Sequence, residues 1–259
     1  MLSFLALIGR KMLNFFSELG RIIILAVRVA RYFPRVFKDR KLVLEQMAVI
    51  GYDSLPLVVL IGSFTGAIAA LQATNLFEKF NLLAIAKPFI GSSIATVVFT
   101  ELTPVLTALI IAGRVGASMA AQIGTMNVTE QVDALEMMAI DKNRFLGMPR
   151  AVAILVMMPV LVVFSNLVAL AGGFILTMVK FDFTFPAFFE SVQRFFQVSE
   201  IIIGLSKSLI FGGVTALIGV HVGFSTRGGA EGVGNSTVRA FTLSAAAILI
   251  LDALFGYVF

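Results

Sequence analysis

Residues 151–179, AVAILVMMPVLVVFSNLVALAGGFILTMV, run without one charged side chain. A helix needs about 20 largely apolar residues to cross the hydrocarbon core of a bilayer. This stretch alone therefore predicts a membrane span, long enough to tilt or break at Pro159 or at the Gly172-Gly173 pair. The whole chain agrees with it. Of 259 residues, 59% are apolar and only 14% charged, with a mean hydropathy of +0.99. Soluble domains lie nearer about 45–50% apolar and about 25% charged. A soluble core of this length would lack the polar residues to cover it, which excludes most soluble enzyme folds.

Four more segments meet the length rule: Leu55 to Leu71, extended back through Ile50; Pro88 to Ala112, with Glu101 and Pro104 inside; Ile201 to Val222; and Ala240 to Phe259. The expected fold is all-α and integral to the membrane, one domain over 1–259, with an amphipathic region at 1–45 and a five-span bundle at 46–259. Lys and Arg collect on cytoplasmic loops. Nine precede residue 42, the 113–150 loop adds Arg114, Lys142, Arg144 and Arg150, and the 223–239 loop adds Arg227 and Arg239. The other side holds only Lys79, Lys87, Lys180 and Arg194, with Lys207 left inside a span. This asymmetry places the amino terminus in the cytoplasm and the carboxyl terminus outside.

Within residues 1–36, Asn14, Ser17, Glu18, Arg21, Arg28, Arg31 and Arg35 form a narrow polar stripe, and Phe15, Phe16, Leu19, Ile22, Ile23, Val27 and Val29 fill the rest. Such a helix lies in the interface with its cations against anionic headgroups. The competing reading, a span at 12–30, is disfavoured by Arg21 and Arg28. A signal peptide is disfavoured by the short apolar run before Arg10 and the lack of a small-residue cleavage site.

Chemistry-bearing residues are few. Cysteine is absent and His221 is the only histidine, so thiolate and His-rich metal sites and a cysteine nucleophile are excluded; the chain has no HExxH and no GxSxG elbow, and no histidine other than His221 to serve as a base. No metal or cofactor is expected, and the basic charge suits lipid rather than nucleic acid. GGAEGVGNS at 228–236 has P-loop glycine spacing, but Asn235 stands where the phosphate-binding lysine is required and no strand precedes it. Nucleotide chemistry must therefore come from another chain. Ionisable residues inside a bilayer are costly and mark function by default. Glu101, Lys207 and Asp252 qualify. Lys207 and Asp252 are suited to an ion pair, whereas Glu101, between Thr100 and Thr103 and before Pro104, is expected to face a polar cavity. Gly62-Ser63-Phe64-Thr65-Gly66, continued by Ala69 and Ala70, and Gly219-Val220-His221-Val222-Gly223 are GxxxG elements that let helix backbones approach. They fit either a dimer contact or packing within one chain.

In the 113–150 loop, Gly113, Gly116, Ala117, Ala120 and Ala121 allow tight packing, and Asn127 with Glu130 three residues on resembles a capping box. A short amphipathic helix through Glu136 to Ile140 comes next. Glu130, Asp133 and Glu136 form one side of it, and Val132, Leu135, Met138 and Ala139 the other. It is either a solvated loop helix or a lever offered to a soluble partner.

Residues 101–141, ELTPVLTALIIAGRVGASMAAQIGTMNVTEQVDALEMMAID, resemble the signature of the MlaE (YrbE) family of ABC-transporter permeases, and GGAEGVGNSTVRAF at 228–241 and ILDALF at 250–255 continue the likeness. The resemblance implies a non-catalytic permease subunit of the inner membrane, working as a homodimer. Its implied partners are two cytosolic ABC ATPase subunits, a hexamer of MCE-domain proteins on the outer side, a small ATPase-associated accessory subunit, and phospholipid moved between the inner membrane and the outer envelope. It implies a cytosolic coupling helix from Glu130 to Ile140, with Val132, Asp133, Leu135, Glu136 and Met138, seated in a groove of the ATPase. It also implies a lipid cavity at the dimer interface, pointing to Leu71, Leu76, Phe77, Phe80, Glu101 and Leu102, and charged membrane positions at Lys207 and Asp252. The chain departs from the family in three places. Thr100 stands where some members have Arg, the loop from Asn75 to Ala86 is longer than in some, and Lys142 follows Asp141 where many have Pro, which implies a less sharply ended coupling helix.

A rival reading is an ion- or proton-coupled transporter using Glu101, Lys207 and Asp252. Inverted repeats are expected there, and five spans do not divide into equal halves. A membrane lipid enzyme lacks any nucleophile–base set.

Overall fold

The structure, a computed structural model, describes residues 2–80 and 83–258, with side chains in those ranges except at 2–8, 11, 14, 15 and 83–86. Asn14 and Phe15 of the amphipathic stripe, Asn81 and Leu82 of the first connecting loop and Phe259 at the end of the fifth span lie outside that description. The described residues form helices without a strand: α1 (Leu2–Ala30), α2 (Arg40–Lys79), α3 (residues 83–128), α4 (Gln131–Met137), α5 (Asn143–Phe181), α6 (Phe185–Phe195), α7 (Val198–Phe224) and α8 (Gly229–Val258). Five of them, α2, α3, α5, α7 and α8, are long and apolar enough to cross a membrane.

The spans are longer than hydropathy alone predicts. At about 1.5 Å per residue, the 40 residues of α2 reach about 60 Å, twice the roughly 30 Å hydrocarbon core. Their ends carry charged sequence such as Arg40 and Lys79 that reads as loop. The 228–236 glycine segment is likewise the entry to α8. Gly228 and Gly229 have φ of +93° and +68°, a turn open to glycine at little cost.

Neither expected break in α5 occurs; the helix runs through Pro159 and Gly172-Gly173. These small residues serve close packing instead. A Cβ on Gly66 would lie 1.7 Å from the Ala169 carbonyl oxygen, and one on Gly172 would lie 2.3 Å from that of Ser63. A Cβ on Gly219 would lie 2.9 Å from the Gly116 oxygen. Of the two readings of the GxxxG elements, both elements therefore serve packing inside one chain. Backbones this close gain dispersion contacts that lipid cannot match.

One apolar core, with Ile50, Val58, Ile111, Ile154, Met158 and Phe211, lies toward the Arg-rich end of the bundle. A second, with Ile90, Ile94, Phe99, Ala169, Phe183 and Phe188, lies toward the other end. α1 turns Leu25 and Val29 into the protein and leaves Phe16, Ile23, Ile24 and Val27 exposed, as an interfacial helix should. The sequence reading missed α6. Thr184 precedes it, Pro186 sits in its first turn and Phe188 is buried.

Candidate functional site

Pro104 has no N–H to donate to a residue one turn earlier. Next to it α3 widens into a π-turn over Val98–Leu102, and the Thr103 amide reaches back to the Val98 carbonyl. The Thr103 hydroxyl donates to the same carbonyl at 2.9 Å and is also hydrogen-bonded to Asn166 of α5. π-turns inside α-helices are often found at functional sites. This one carries Glu101.

Glu101 does not stand alone. Lys207 of α7 donates through Nζ to Glu101 Oε2 at 2.7 Å and to Asp252 Oδ1 of α8 at 2.8 Å. The Lys207 side chain is 1% exposed, Asp252 22% and Glu101 46%. The expected Lys207–Asp252 pair is present. The Glu101 carboxylate joins that pair while its side chain stays 46% exposed, and one cation ties three spanning helices together. A shared cation is the cheapest arrangement for carboxylates inside a bilayer, where an unpartnered charge costs several kcal/mol.

The residues assigned to a lipid cavity are only partly brought together. Phe77 and Leu102 pack against the same apolar core. Leu71 is half-buried, whereas Leu76 and Phe80 point outward. Exposed apolar side chains continue along α8 at Phe241, Leu249, Ile250 and Leu254.

At the Arg-rich end α4 follows α3 and packs against its last turns, and its limits differ from those expected. Asn127 belongs to α3 and donates from Nδ2 to the Thr226 carbonyl, while Glu130 takes a left-handed φ of 60° ahead of α4, so there is no capping box. α4 stops at Met137. Ala139, at φ 57°, donates to the Glu136 carbonyl, and Ile140 to that of Leu135. These two bonds are a Schellman closure, so the helix ends sharply without the proline. Val132 is buried and Leu135 half-buried. Met138, expected on the apolar inner side with Ala139, is exposed beside Met137. Glu130, Asp133 and Glu136 are exposed.

A clamp of polar contacts holds the segment between α4 and α5 against the elbow between α1 and α2. Tyr32 donates from its hydroxyl to Asp141 Oδ2 at 2.9 Å, and Arg144 makes two bonds of 3.0 Å to the Asp39 carboxylate. The Arg144 hydrogen bond holds the Asp39 carboxyl below its ordinary pKa. Burial opposes ionisation of Asp141, but bonds from Tyr32 and from the Asn143 and Arg144 amides outweigh it and its pKa is lowered as well. Elsewhere at this end, Arg114 bridges to Asp53 at 3.2 Å and Arg239 pairs with Glu18 of α1. Sequence reasoning missed the clamp because its members lie more than 100 residues apart, without a shared motif. Among the described residues no cluster of His, Asp or Glu could hold a metal ion.

The family model "Permease MlaE" matches residues 43–258, which include the π-turn, the charged triad and α4. The chain belongs to the MlaE permease family. Similar proteins include a probable ABC transporter permease protein of Rickettsia bellii, 35% identical over 97% of this chain and 96% of that one. Another, from Synechocystis sp., is 40% identical over 82% of this chain and 79% of the relative. The intermembrane phospholipid transport system permease protein MlaE of Haemophilus influenzae is 30% identical over 96% and 95%. This MlaE-family chain is thus a membrane permease of ABC-transporter type.

Proposed function

We propose that this MlaE-family permease moves phospholipid between the inner membrane and the outer envelope, driven by ATP hydrolysis on a separate subunit. The chain itself has no catalytic step. Two copies pair, two cytosolic ATPases dock beneath them with a small accessory subunit, and an MCE-domain hexamer receives or delivers lipid on the outer side. The Arg-rich end faces the cytoplasm and the carboxyl terminus the periplasm.

The observation that carries this reading is α4. A seven-residue helix at the Arg-rich end has Val132 buried and leaves Met137, with Met138 just beyond its end, exposed. Methionine suits an adaptable apolar contact with a partner. Its carboxyl end leads into the Asp141–Arg144 clamp, so a push on α4 reaches α1, α2 and α5 together. Moving two acyl tails requires a continuous apolar path, because each methylene exposed to water costs about 0.8 kcal/mol. Leu71, Leu76, Phe77, Phe80 and Leu102, with Glu101 at its edge, supply such a path where two copies meet.

The test is site-specific cross-linking from Met137→Cys in the assembled complex. A cross-link to the ATPase that forms in most molecules supports the docking of α4, and cross-linking only to lipid or to the permease itself contradicts it.

A further inference from the structure

Between α1, the α3–α4 turn and the α7–α8 turn lies a polar cavity of about 1130 Å³, somewhat above the usual size of a small-molecule site. Its charged groups come from different elements. Arg21 is on α1, Arg227 on the α7–α8 turn and Arg239 on α8; Glu18 is on α1, and Glu130 and Asp133 come from the α3–α4 region. Glu18 is taken by Arg239, and its distance to His221 Nε2 is 4.0 Å. Lys142, also at the rim, is held by Glu136 at 2.9 Å and lies over the Phe224 ring. Arg21 and Arg227 carry no ion-pair partner among the described residues. Glu130 and Asp133 likewise have no cation bound. The cavity thus offers two free guanidiniums and two free carboxylates, at the end of the bundle where α1 lies along the surface.

We infer that this cavity binds a phosphate ester bearing a primary ammonium, of the phosphoethanolamine type. Guanidinium groups match phosphate oxygens with paired, charge-assisted hydrogen bonds. The two carboxylates accept from an ammonium, which has three N–H donors, and discriminate against a trimethylated amine, which has none. A purely anionic ligand would meet Glu130 and Asp133 unscreened. The chemistry fits both an aminophospholipid headgroup of the adjacent leaflet and a soluble glycerophosphoethanolamine. The lipid source rests on the proposed orientation, with the Arg-rich end at the cytoplasmic leaflet; the binding chemistry does not.

The test uses the full chain with its co-expressed partners in phosphatidylcholine nanodiscs, with added phosphatidylethanolamine counted by native mass spectrometry. R21A/R227A is expected to lower retained phosphatidylethanolamine about tenfold or more, since each charge-assisted bond lost is worth about a decade in affinity. R10A/R28A removes as many charges from the same end but outside the cavity, and is expected to leave retention within about twofold. E130Q/D133N is expected to erase the preference for ethanolamine over choline headgroups while phosphate binding remains. Displacement by soluble glycerophosphoethanolamine assigns the site to the soluble ester, and retention against it assigns the site to lipid. Equal loss in the two arginine pairs means diffuse attraction to the membrane and overturns the site, whether or not the ATPase still co-purifies and transport persists.

Discussion

Lys207 and Arg144 make the same kind of contact in two different solvents. Lys207 is 1% exposed between Glu101 and Asp252. Arg144 meets Asp39 with their side chains 39% and 17% exposed. Coulomb attraction is stronger where the local dielectric is low, and so is the cost of losing a partner. The triad therefore fixes α3, α7 and α8 to one another as a permanent joint. The clamp lies at the Arg-rich end, with Tyr32, Asp39 and Asp141 outside the spanning helices, and under the proposed coupling it is the contact that can be remade when α4 moves. A transporter moved from one end needs both: a part that stays closed under load, and a part that yields.

The largest contrast is expected on removing the two cations. Lys207→Met leaves two carboxylates without a partner and should cost about 3–5 kcal/mol, seen as a large fall in thermal stability in detergent. The combined change K207M/E101Q/D252N should recover most of it, because no unpaired charge remains. If Lys207→Met melts within a degree or two of the parent, the triad is not the joint described.

Arg144→Glu places like charges against Asp39. We expect the protein to remain folded while ATP-driven lipid transfer falls several-fold, with the exchange D39R/R144E restoring it. Unchanged transfer in Arg144→Glu would remove the clamp from the coupling route.

Acid should separate the two regions next. Asp39 and Asp141 have folded pKa values below the ordinary 3.8. Their contribution is therefore complete at pH values above 3.8 and is lost as pH falls through the lowered values. Amide exchange around residues 32–39 and 141–144 should rise only below about pH 4, and D39N/D141N should abolish that step. A rise beginning near neutral pH would contradict the assignment.

The smallest effect is expected from salt and from the outermost pair. Raising ionic strength from about 0.1 M to about 1 M shortens the screening length from about 10 Å to about 3 Å. Exchange near Asp39 and Arg144 should quicken modestly and near Lys207 not at all. Glu136→Gln, which breaks the exposed contact with Lys142, should change stability by no more than about 1 kcal/mol.

The five spans were legible because an uncharged run such as 151–179 has almost no soluble alternative. Their ends were not. Where α2 and α8 leave the apolar layer, Arg40, Lys79 and the glycines at Gly232 and Gly234 read as loop although the backbone stays helical. α6 went unseen because its eleven residues are too few for the span rule, although Phe185, Phe188, Phe189, Val192 and Phe195 recur at helical spacing. The site was half legible. Opposite charges at Lys207 and Asp252 suggest a pair at once, but nothing in hydropathy reveals the π-turn that carries Glu101. The supposed capping box failed for a similar reason: α3 continued through Asn127, whose side chain found the Thr226 carbonyl instead. The Tyr32–Asp141 and Asp39–Arg144 contacts are tertiary, and no local pattern announces them.

We propose this permease as a lipid gate driven from its Arg-rich end by a partner's ATP hydrolysis. The most direct measurement is transfer of fluorescent phospholipid out of proteoliposomes holding the purified assembly, with ATP, with a non-hydrolysable analogue, and with the permease alone. Transfer is expected only with ATP and the ATPase present. Equal transfer by the permease alone would contradict the claim.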